Sequence, residues 1–167
     1  KTKEISQIPG VDIVLGARDK FNLPLYLEDY YKSKQKIFLE SNIDKINHFI
    51  PSYSLNERTR SFIKIQDGCD YSCSFCTIPL ARGKSRSGKI SKLLSIINKI
   101  AKSSINEIVL SGINIGDFGV NNGESLIELL KKIESVDGIK RCRISSIEPN
   151  LFTDEIIEFI SNSRKIL

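Results

Sequence analysis

The sequence predicts an α/β fold with a parallel sheet covered by helices, and three observations predict it. β-prone runs occur at Ser61–Gln66, Glu107–Leu110 and Arg141–Ile147. Amphipathic runs follow each of them, with apolar residues at helical spacing: Ile90, Leu93, Leu94, Ile97, Ile100 and Ala101; then Leu126, Leu129, Leu130 and Ile133; then Ile156, Phe159 and Ile160. The order is therefore βαβαβα. Right-handed crossovers turn that order into neighbouring parallel strands with helices outside.

Ahead of this unit the signals are shorter. A Pro9-Gly10 turn precedes Ile13-Val14-Leu15, which reads as a buried strand. Asn22 to Tyr31 reads as a helix, with Asn22 as its cap and Pro24 in its first turn. Ile37-Phe38-Leu39 reads as another strand. Residues 41–60 carry Pro51, Ser52 and Ser54 and read as a linker, in which Arg58 and Arg60 are either solvated charges or phosphate contacts. The division is thus 1–40, a linker 41–60, and an α/β unit 61–167. In that unit Gly123-Glu124 opens the second helix, and Thr153-Asp154-Glu155 caps the third.

Composition bounds the class. The chain has 167 residues, a formal net charge of +5 and 40% hydrophobic residues. An isoelectric point near 9.0 and a mean hydropathy of -0.15 suit a globular protein with an acidic partner such as nucleic acid. No run approaches the roughly 20 apolar residues of a membrane span. There is no methionine, and Ile156–Leu167 reads as a helix with no closing element after it. The expectation is a piece of a longer protein, with a strand edge left unpaired after the third βα unit.

Three of the four cysteines, Cys69, Cys73 and Cys76, stand at C-x3-C-x2-C spacing just after the first strand of the α/β unit. The C-terminal ends of parallel strands are where such folds build sites. Soft thiolates select zinc, copper(I) or iron–sulfur clusters. A closed zinc site wants four ligands, whereas three thiolates suit a [4Fe–4S] cluster with one iron open to an outside ligand. Structural or redox thiols are the remaining reading. Four cysteines, none near either terminus, in a lysine-rich chain that shows no signal peptide argue against a secreted disulfide framework. Cys142 sits in an apolar run and reads as a small buried hydrophobe.

With Phe75 just before the third cysteine, the triad resembles the radical S-adenosylmethionine (radical SAM) signature. The flanks Ile65-Gln66-Asp67-Gly68-Cys69 and Thr77-Ile78-Pro79-Leu80-Ala81-Arg82-Gly83 resemble the methylthiotransferase family within it. Leu110 to Gly119 and Ser145 to Asn150 extend the likeness, which is nearest to the branch that modifies threonylcarbamoyladenosine in tRNA. It runs from about Ile8 to the end of the chain.

The resemblance implies the first half of a partial (β/α)6 barrel at 61–167, preceded by the tail of a flavodoxin-like methylthiotransferase domain at 1–40. It implies a [4Fe–4S] cluster on Cys69, Cys73 and Cys76, whose fourth iron takes the amino and carboxylate groups of S-adenosylmethionine. Reductive cleavage of that cofactor gives a 5′-deoxyadenosyl radical. The implied reaction is 2-methylthiolation of threonylcarbamoyladenosine at tRNA position 37. Isopentenyladenosine in tRNA, or an aspartate of a ribosomal protein, is the alternative substrate. A zinc-binding nucleic-acid module without catalysis is the rival of another class. The implied partners are tRNA, a flavodoxin-like or ferredoxin electron donor and a sulfur donor, in the cytoplasm and away from membranes. A second cluster belongs to the family, but no cysteine precedes Cys69 here. This chain alone is therefore expected not to methylthiolate tRNA.

Further site candidates follow from the resemblance, each beside a plainer role. Phe75 lies against the adenine or packs under its loop. Ser111, Gly112 and Asn114 meet the methionine moiety, or Gly112 ends a strand and Asn114 caps a loop with Asp117. Ser146 and Glu148 contact ribose or the amino group, or Glu148 is a surface carboxylate. Arg82, Lys84, Arg86, Lys89 and Lys92 form a basic run among small residues, suited to tRNA phosphates or to plain solvation. Of these, Arg82 belongs to the family motif and so serves either the cofactor site or the tRNA.

Overall fold

The computed structural model describes residues 1–55 and 59–167. Arg58 of the expected linker lies outside the described residues. In chain order the first segment holds α1 (Thr2–Ser6), β1 (Ile13–Leu15), α2 (Leu23–Ser33) and β2 (Ile37–Leu39). The second holds β3 (Ser52–Tyr53), β4 (Arg60–Lys64), β5 (Gln66–Asp67), α3 (Ile78–Arg82), β6 (Arg86–Ser87), α4 (Ile90–Ala101), β7 (Glu107–Ser111), α5 (Leu126–Glu134), β8 (Arg141–Ile144) and α6 (Asp154–Asn162).

The main sheet has the order β3-β4-β7-β8. β4, β7 and β8 are parallel neighbours, as the βαβαβα reading requires. One face of this sheet is packed by α4 and α5. Ile63, Ile108, Leu110 and Cys142 of the strands meet Leu93, Ile97, Ile100, Leu129, Leu130 and Ile133 of the helices, all at 0% exposure. Each such aliphatic side chain contributes roughly 1.5–3 kcal/mol on burial. α5 starts at a capping box in which Ser125 and Glu128 accept each other's backbone N–H groups. Thr153 caps α6 by accepting the Ile156 N–H.

The other face of the sheet carries polar side chains at its lower end. Glu107 bonds Arg141 at 3.0 Å and Arg143 at 2.8 Å, with Arg60 at 4.0 Å. The hydrogen bond from Arg141 holds the Glu107 carboxyl below its usual range; burial opposes this, and the charge of Arg143 adds to it.

Several expectations are corrected. β1 pairs in parallel with β2 across α2, but its residues are half-buried and not buried as expected. Asn22 stands at the N-cap of α2 without a side-chain cap bond, since a turn of 3-10 helix already leads into it. The stretch 41–60 is more than a linker, because β3 pairs antiparallel with β4 there. β8 stops at Ile144, because Ser146 takes a left-handed φ of 51° that breaks the ladder.

The last helix ends at Asn162 and does not run on to Leu167. Ser163 turns to extended backbone, donates to Glu134 and accepts the N–H groups of Lys165 and Ile166. The chain then returns along the outer edge of β8. Cys142 N–H donates to Lys165 at 2.7 Å, Leu167 N–H to Cys142 at 2.8 Å, and Ile144 N–H to Leu167 at 3.0 Å. The edge that was expected to be unpaired is therefore partly paired.

Candidate cofactor site at the C-terminal rim

The site grows from Gln66. β5 continues β4 past Ile65 and carries the backbone to the rim, where Gln66 is fully buried. A buried amide must find partners on both ends. The Gln66 amide nitrogen donates to the Gly68 carbonyl at 2.7 Å and to the Ser85 hydroxyl at 2.9 Å. Its oxygen accepts the N–H groups of Ile113 at 2.9 Å and Asn114 at 3.0 Å. One side chain thus joins the start of the cysteine loop to the loop that follows β7.

Asn114 repeats the device one strand further on. It is 2% exposed. Its side-chain nitrogen donates to Asp117 at 3.2 Å, and its oxygen accepts the Glu148 N–H at 3.3 Å. Ile115 N–H also donates to the Ser146 carbonyl at 3.0 Å. The loops after β4, β7 and β8 are therefore held together by two neutral amides. A Cβ on Gly112 would stand 2.8 Å from the Gln66 oxygen and 2.6 Å from Ile115, so this close approach needs glycine.

The cysteine loop, residues 68–77, hangs from this frame between β5 and α3. Gly68 has a φ of +77°, and a Cβ there would lie 2.0 Å from the Lys84 carbonyl. Cys69 N–H donates to the Gly83 carbonyl at 3.1 Å, and Ser85 N–H to the Asp70 carboxylate at 3.0 Å. Cys76 N–H closes a turn onto the Cys73 carbonyl at 3.1 Å. Asn150 ties the far side by donating to the Tyr71 hydroxyl at 2.8 Å.

Cys69 and Cys76 are half-buried and Cys73 is exposed. Burial pushes the Cys69 thiol up; a backbone hydrogen bond with Tyr71 opposes this, while Asp117, Cys76 and Cys73 add to it. The three thiols share one neighbourhood, and a bound cation would reverse that charge cost. Cys142 is remote from them in the packed face of β8, with its thiol pushed up to about 12 by burial. Among the described residues no group of three or more His, Cys, Asp or Glu stands ready for a single metal ion. The trio is an open, soft donor set on a loop, which fits a multi-iron cluster better than a closed tetrahedral ion site.

The other expected residues divide. Phe75 is 90% exposed at the loop tip, so it does not pack under the loop. Ser111 and Gly112 end β7 at the rim, and Ser111 donates to the Ile63 carbonyl at 3.2 Å. Ser146 and Glu148 are exposed beside them. Burial, then the charge of Asp70, raises the Asp117 carboxyl; the Asn114 bond opposes this and Glu148 adds to it. Lys84, Lys89 and Lys92 are exposed. Arg86 is not a free cation: its guanidinium donates to the carbonyls of Arg82 and Lys84 and to Asp67 at 3.1 Å. The roles of Gln66 and Asp67 escaped the sequence reading, because nothing local marks a Gln side chain that bonds 47 or 48 residues away, or an Asp whose partner Arg86 lies 19 residues on.

The match to a family model is what decides the class. Residues 63–166 match the model described as the radical SAM superfamily. The chain belongs to the radical SAM superfamily. The matched span begins in β4 and takes in the cysteine loop and all three amide-linked rim loops. Relatives narrow the likeness. The chain is 39% identical, over 98% of its length and 37% of the relative's, to the threonylcarbamoyladenosine tRNA methylthiotransferase MtaB of Bacillus subtilis (strain 168). It is 33% identical, over 95% of its length and 36% of the relative's, to the ribosomal protein uS12 methylthiotransferase RimO of Clostridium botulinum (strain Loch Maree / Type A3). It is 30% identical, over 94% of its length and 37% of the relative's, to the tRNA-2-methylthio-N(6)-dimethylallyladenosine synthase of Hydrogenobaculum sp. (strain Y04AAS1). The chain spans a little over a third of the length of these curated relatives. Radical SAM membership implies a [4Fe–4S] cluster and S-adenosylmethionine. No helix among the described residues is long and apolar enough to cross a membrane.

Proposed function

We propose that this chain is the cofactor-handling part of a methylthiotransferase that converts threonylcarbamoyladenosine in tRNA to its 2-methylthio form. The observation that carries the reading is the open loop of three thiols on an amide-tied rim, in a radical SAM chain whose 39% identical relative bears that name. Several of the most similar relatives carry the threonylcarbamoyladenosine name, at 32–39% identity, which supports this substrate; relatives named for a ribosomal protein and for dimethylallyladenosine, at 33% and 30%, keep those two as the alternatives.

In this reading residues 61–167 are the first part of a partial barrel, and 1–40 are the tail of a flavodoxin-like domain. Cys69, Cys73 and Cys76 hold a cluster, which supplies the electron that cleaves S-adenosylmethionine. Gln66 and Asn114 set the distance between the thiols and the loops that receive the cofactor. The carbonyls of the Ser111-Gly112 turn accept from the methionine amino group, and the negative charge of Asp70, Asp117 and Glu148 favours that cation. Phe75, Ser146 and Glu148 serve the adenosine end. Lys84 and Lys89 offer charge to tRNA. A second cluster, an electron donor and a sulfur donor come from outside this chain, in a cytoplasmic setting.

The test is anaerobic reconstitution. Four irons and four acid-labile sulfides per chain are expected, with an electron paramagnetic resonance signal that changes when S-adenosylmethionine is added. Stoichiometric zinc without sulfide would overturn the reading. Nucleoside mass spectrometry of tRNA treated with a protein containing this chain and a second cluster tests the substrate.

A further inference from the structure

The foot of the main sheet, at the far end of its strands from the thiols, holds a basic recess of its own. The register sets Arg60 beside Glu107 and Glu107 beside Arg141, so β4, β7 and β8 begin in one row. Arg60 stands four strand residues before Lys64, roughly 13 Å at the usual rise. A cavity of about 370 Å³ opens at this row, lined by Thr59, Ser104, Asn106, Glu107, Lys140 and Arg141. Its walls come from the chain before β4, the connection from α4 to β7 and the connection from α5 to β8. The Asn106 carbonyl ties the last two together, accepting the N–H groups of Lys140 at 2.8 Å and Arg141 at 3.1 Å.

Glu107 is the one acid in this lining, and it is outnumbered. Arg143 meets it through Nε at 2.8 Å, Arg141 through Nη1 at 3.0 Å, and Arg60 stands at 4.0 Å. Its side chain is 15% exposed, whereas those of the three arginines are about half exposed. Lys140 is exposed, and among the described residues it makes no ion pair. Pairing with Glu107 accounts for Arg141 and Arg143 but leaves Arg60 and Lys140 without a close counter-charge among the described residues. Arg141 is held by one terminal nitrogen alone, so its other N–H groups remain for a second acceptor. The side chains of Thr59, Ser104 and Asn106 likewise make no hydrogen bond among the described residues.

We propose that this recess binds a phosphate group, with Lys140 and Arg141 as its charged donors and Thr59, Ser104 and Asn106 as its neutral ones. Glu107 is a positioning residue that fixes Arg141, while Arg60 and Arg143 raise the local potential. Four cations less one carboxylate leave three positive charges, which disfavours a metal ion. A carboxylate ligand would cancel one of them. A phosphate dianion cancels two and offers more acceptor oxygens to donors that converge from three connections. A free phosphate compound and an RNA backbone present this same oxyanion. Parallel α/β folds build their reaction centres at the other end of the strands, so the recess binds and takes no part in the chemistry at the thiols.

The experiment uses this chain and two probes, sodium pyrophosphate and a fluorescein-labelled single-stranded oligoribonucleotide. Backbone amide shifts in nuclear magnetic resonance locate and titrate the first, and anisotropy follows the second. Pyrophosphate should move the amides of Asn106, Lys140 and Arg141. Lys140→Gln and Arg141→Gln should each weaken it by about tenfold, the value of one charged hydrogen bond. Arg141→Lys should recover only part of that loss, because a fork of donors gives way to a single ammonium. Lys99→Gln on α4 should match the parent. Circular dichroism melts identify a variant that fails to fold, and the exposed Lys140 supplies the reading if Arg141→Gln does so. Displacement of pyrophosphate by the oligoribonucleotide, with the same loss in Lys140→Gln, identifies an RNA backbone as the source. Pyrophosphate binding without such displacement identifies a free phosphate compound. The site falls if neither probe binds, if the shifts appear at Ile113 and Asn114 alone, or if Lys140→Gln and Arg141→Gln bind as the parent. Equal displacement by acetate at matched ionic strength would overturn the phosphate assignment. None of these readouts needs a cluster or S-adenosylmethionine, so they stand or fall apart from the methylthiotransferase reading.

Discussion

Gln66 and Asn114 are hydrogen-bonded across 48 residues of sequence: the side-chain oxygen of the first accepts the backbone N–H of the second at 3.0 Å. Asn114 in turn reaches the loop after β8. Replacing Gln66 by Leu would leave the Ile113 and Asn114 N–H groups and the Ser85 hydroxyl buried without this partner. The expected loss is about 3 kcal/mol in urea unfolding. Hydrogen exchange should quicken at Ile113 and Asn114 while α5 stays protected. Unchanged exchange at those two amides would show that the bond holds nothing.

Gly68→Ala should be among the most damaging changes on the rim. The added Cβ meets the Lys84 carbonyl at 2.0 Å, and the φ of +77° already disfavours a side chain. The backbone must move, and the bond from Cys69 N–H to the Gly83 carbonyl goes with it. Reconstituted chain should then hold little iron while its helical circular dichroism persists. Full iron loading would show that the loop tolerates another path.

The four cysteines should separate cleanly. Ala at Cys69, Cys73 or Cys76 should abolish cluster content, because two protein thiolates hold a cubane poorly. Cys142→Ala should keep it and cost about 1 kcal/mol of core packing. Iron and sulfide assays on the four variants give the answer directly, and equal cluster loss in the Cys142 variant would sink the assignment.

Cys142 also makes a pH prediction. Its thiol is pushed from 9.0 up to about 12 in the folded chain. The unfolded thiol ionises first as pH rises, so the unfolded state binds fewer protons than the native one. The contribution is therefore whole below pH 9 and is lost as pH climbs toward 12. Cys142→Ala should show a flatter stability curve over that window than the parent. At pH 8, iodoacetamide should label Cys69, Cys73 and Cys76 in the apo chain and reach Cys142 only on unfolding.

The three βα units were legible in the sequence because each helix and strand is long enough to show a period. The Ile and Leu residues of α4 and α5 recur at helical spacing, and those of β4 and β7 fall in β-prone runs. β3, β5 and β6 are two residues each, and two residues have no period. α1 and α3 are five residues each, and single turns fare no better. The return of Lys165–Leu167 along β8 hid behind apolar residues that also suit a helix. The α5 cap could have been found, since Ser125 and Glu128 stand at capping-box spacing. In the candidate site, the thiols stood out by their spacing, whereas Gly112 stood out only through the family resemblance. Arg86 read as a free cation because its partner Asp67 lies 19 residues back, on a strand whose place beside it only folding reveals.

The ties among the three rim loops have a consequence for how the site meets changing charge. Two carboxamides make the junction, and neither titrates. Around them an iron–sulfur centre would gain and lose electrons, a sulfonium would come and go, and a polyanion would approach through Lys84 and Lys89. Salt and pH act on all of those events, but on the Gln66 and Asn114 bonds only weakly. The bonds that run from loop to loop through Gln66 and Asn114 thus carry no charge of their own, and the charged partners, Asp70 and Asp117, act within the frame and not at its junctions.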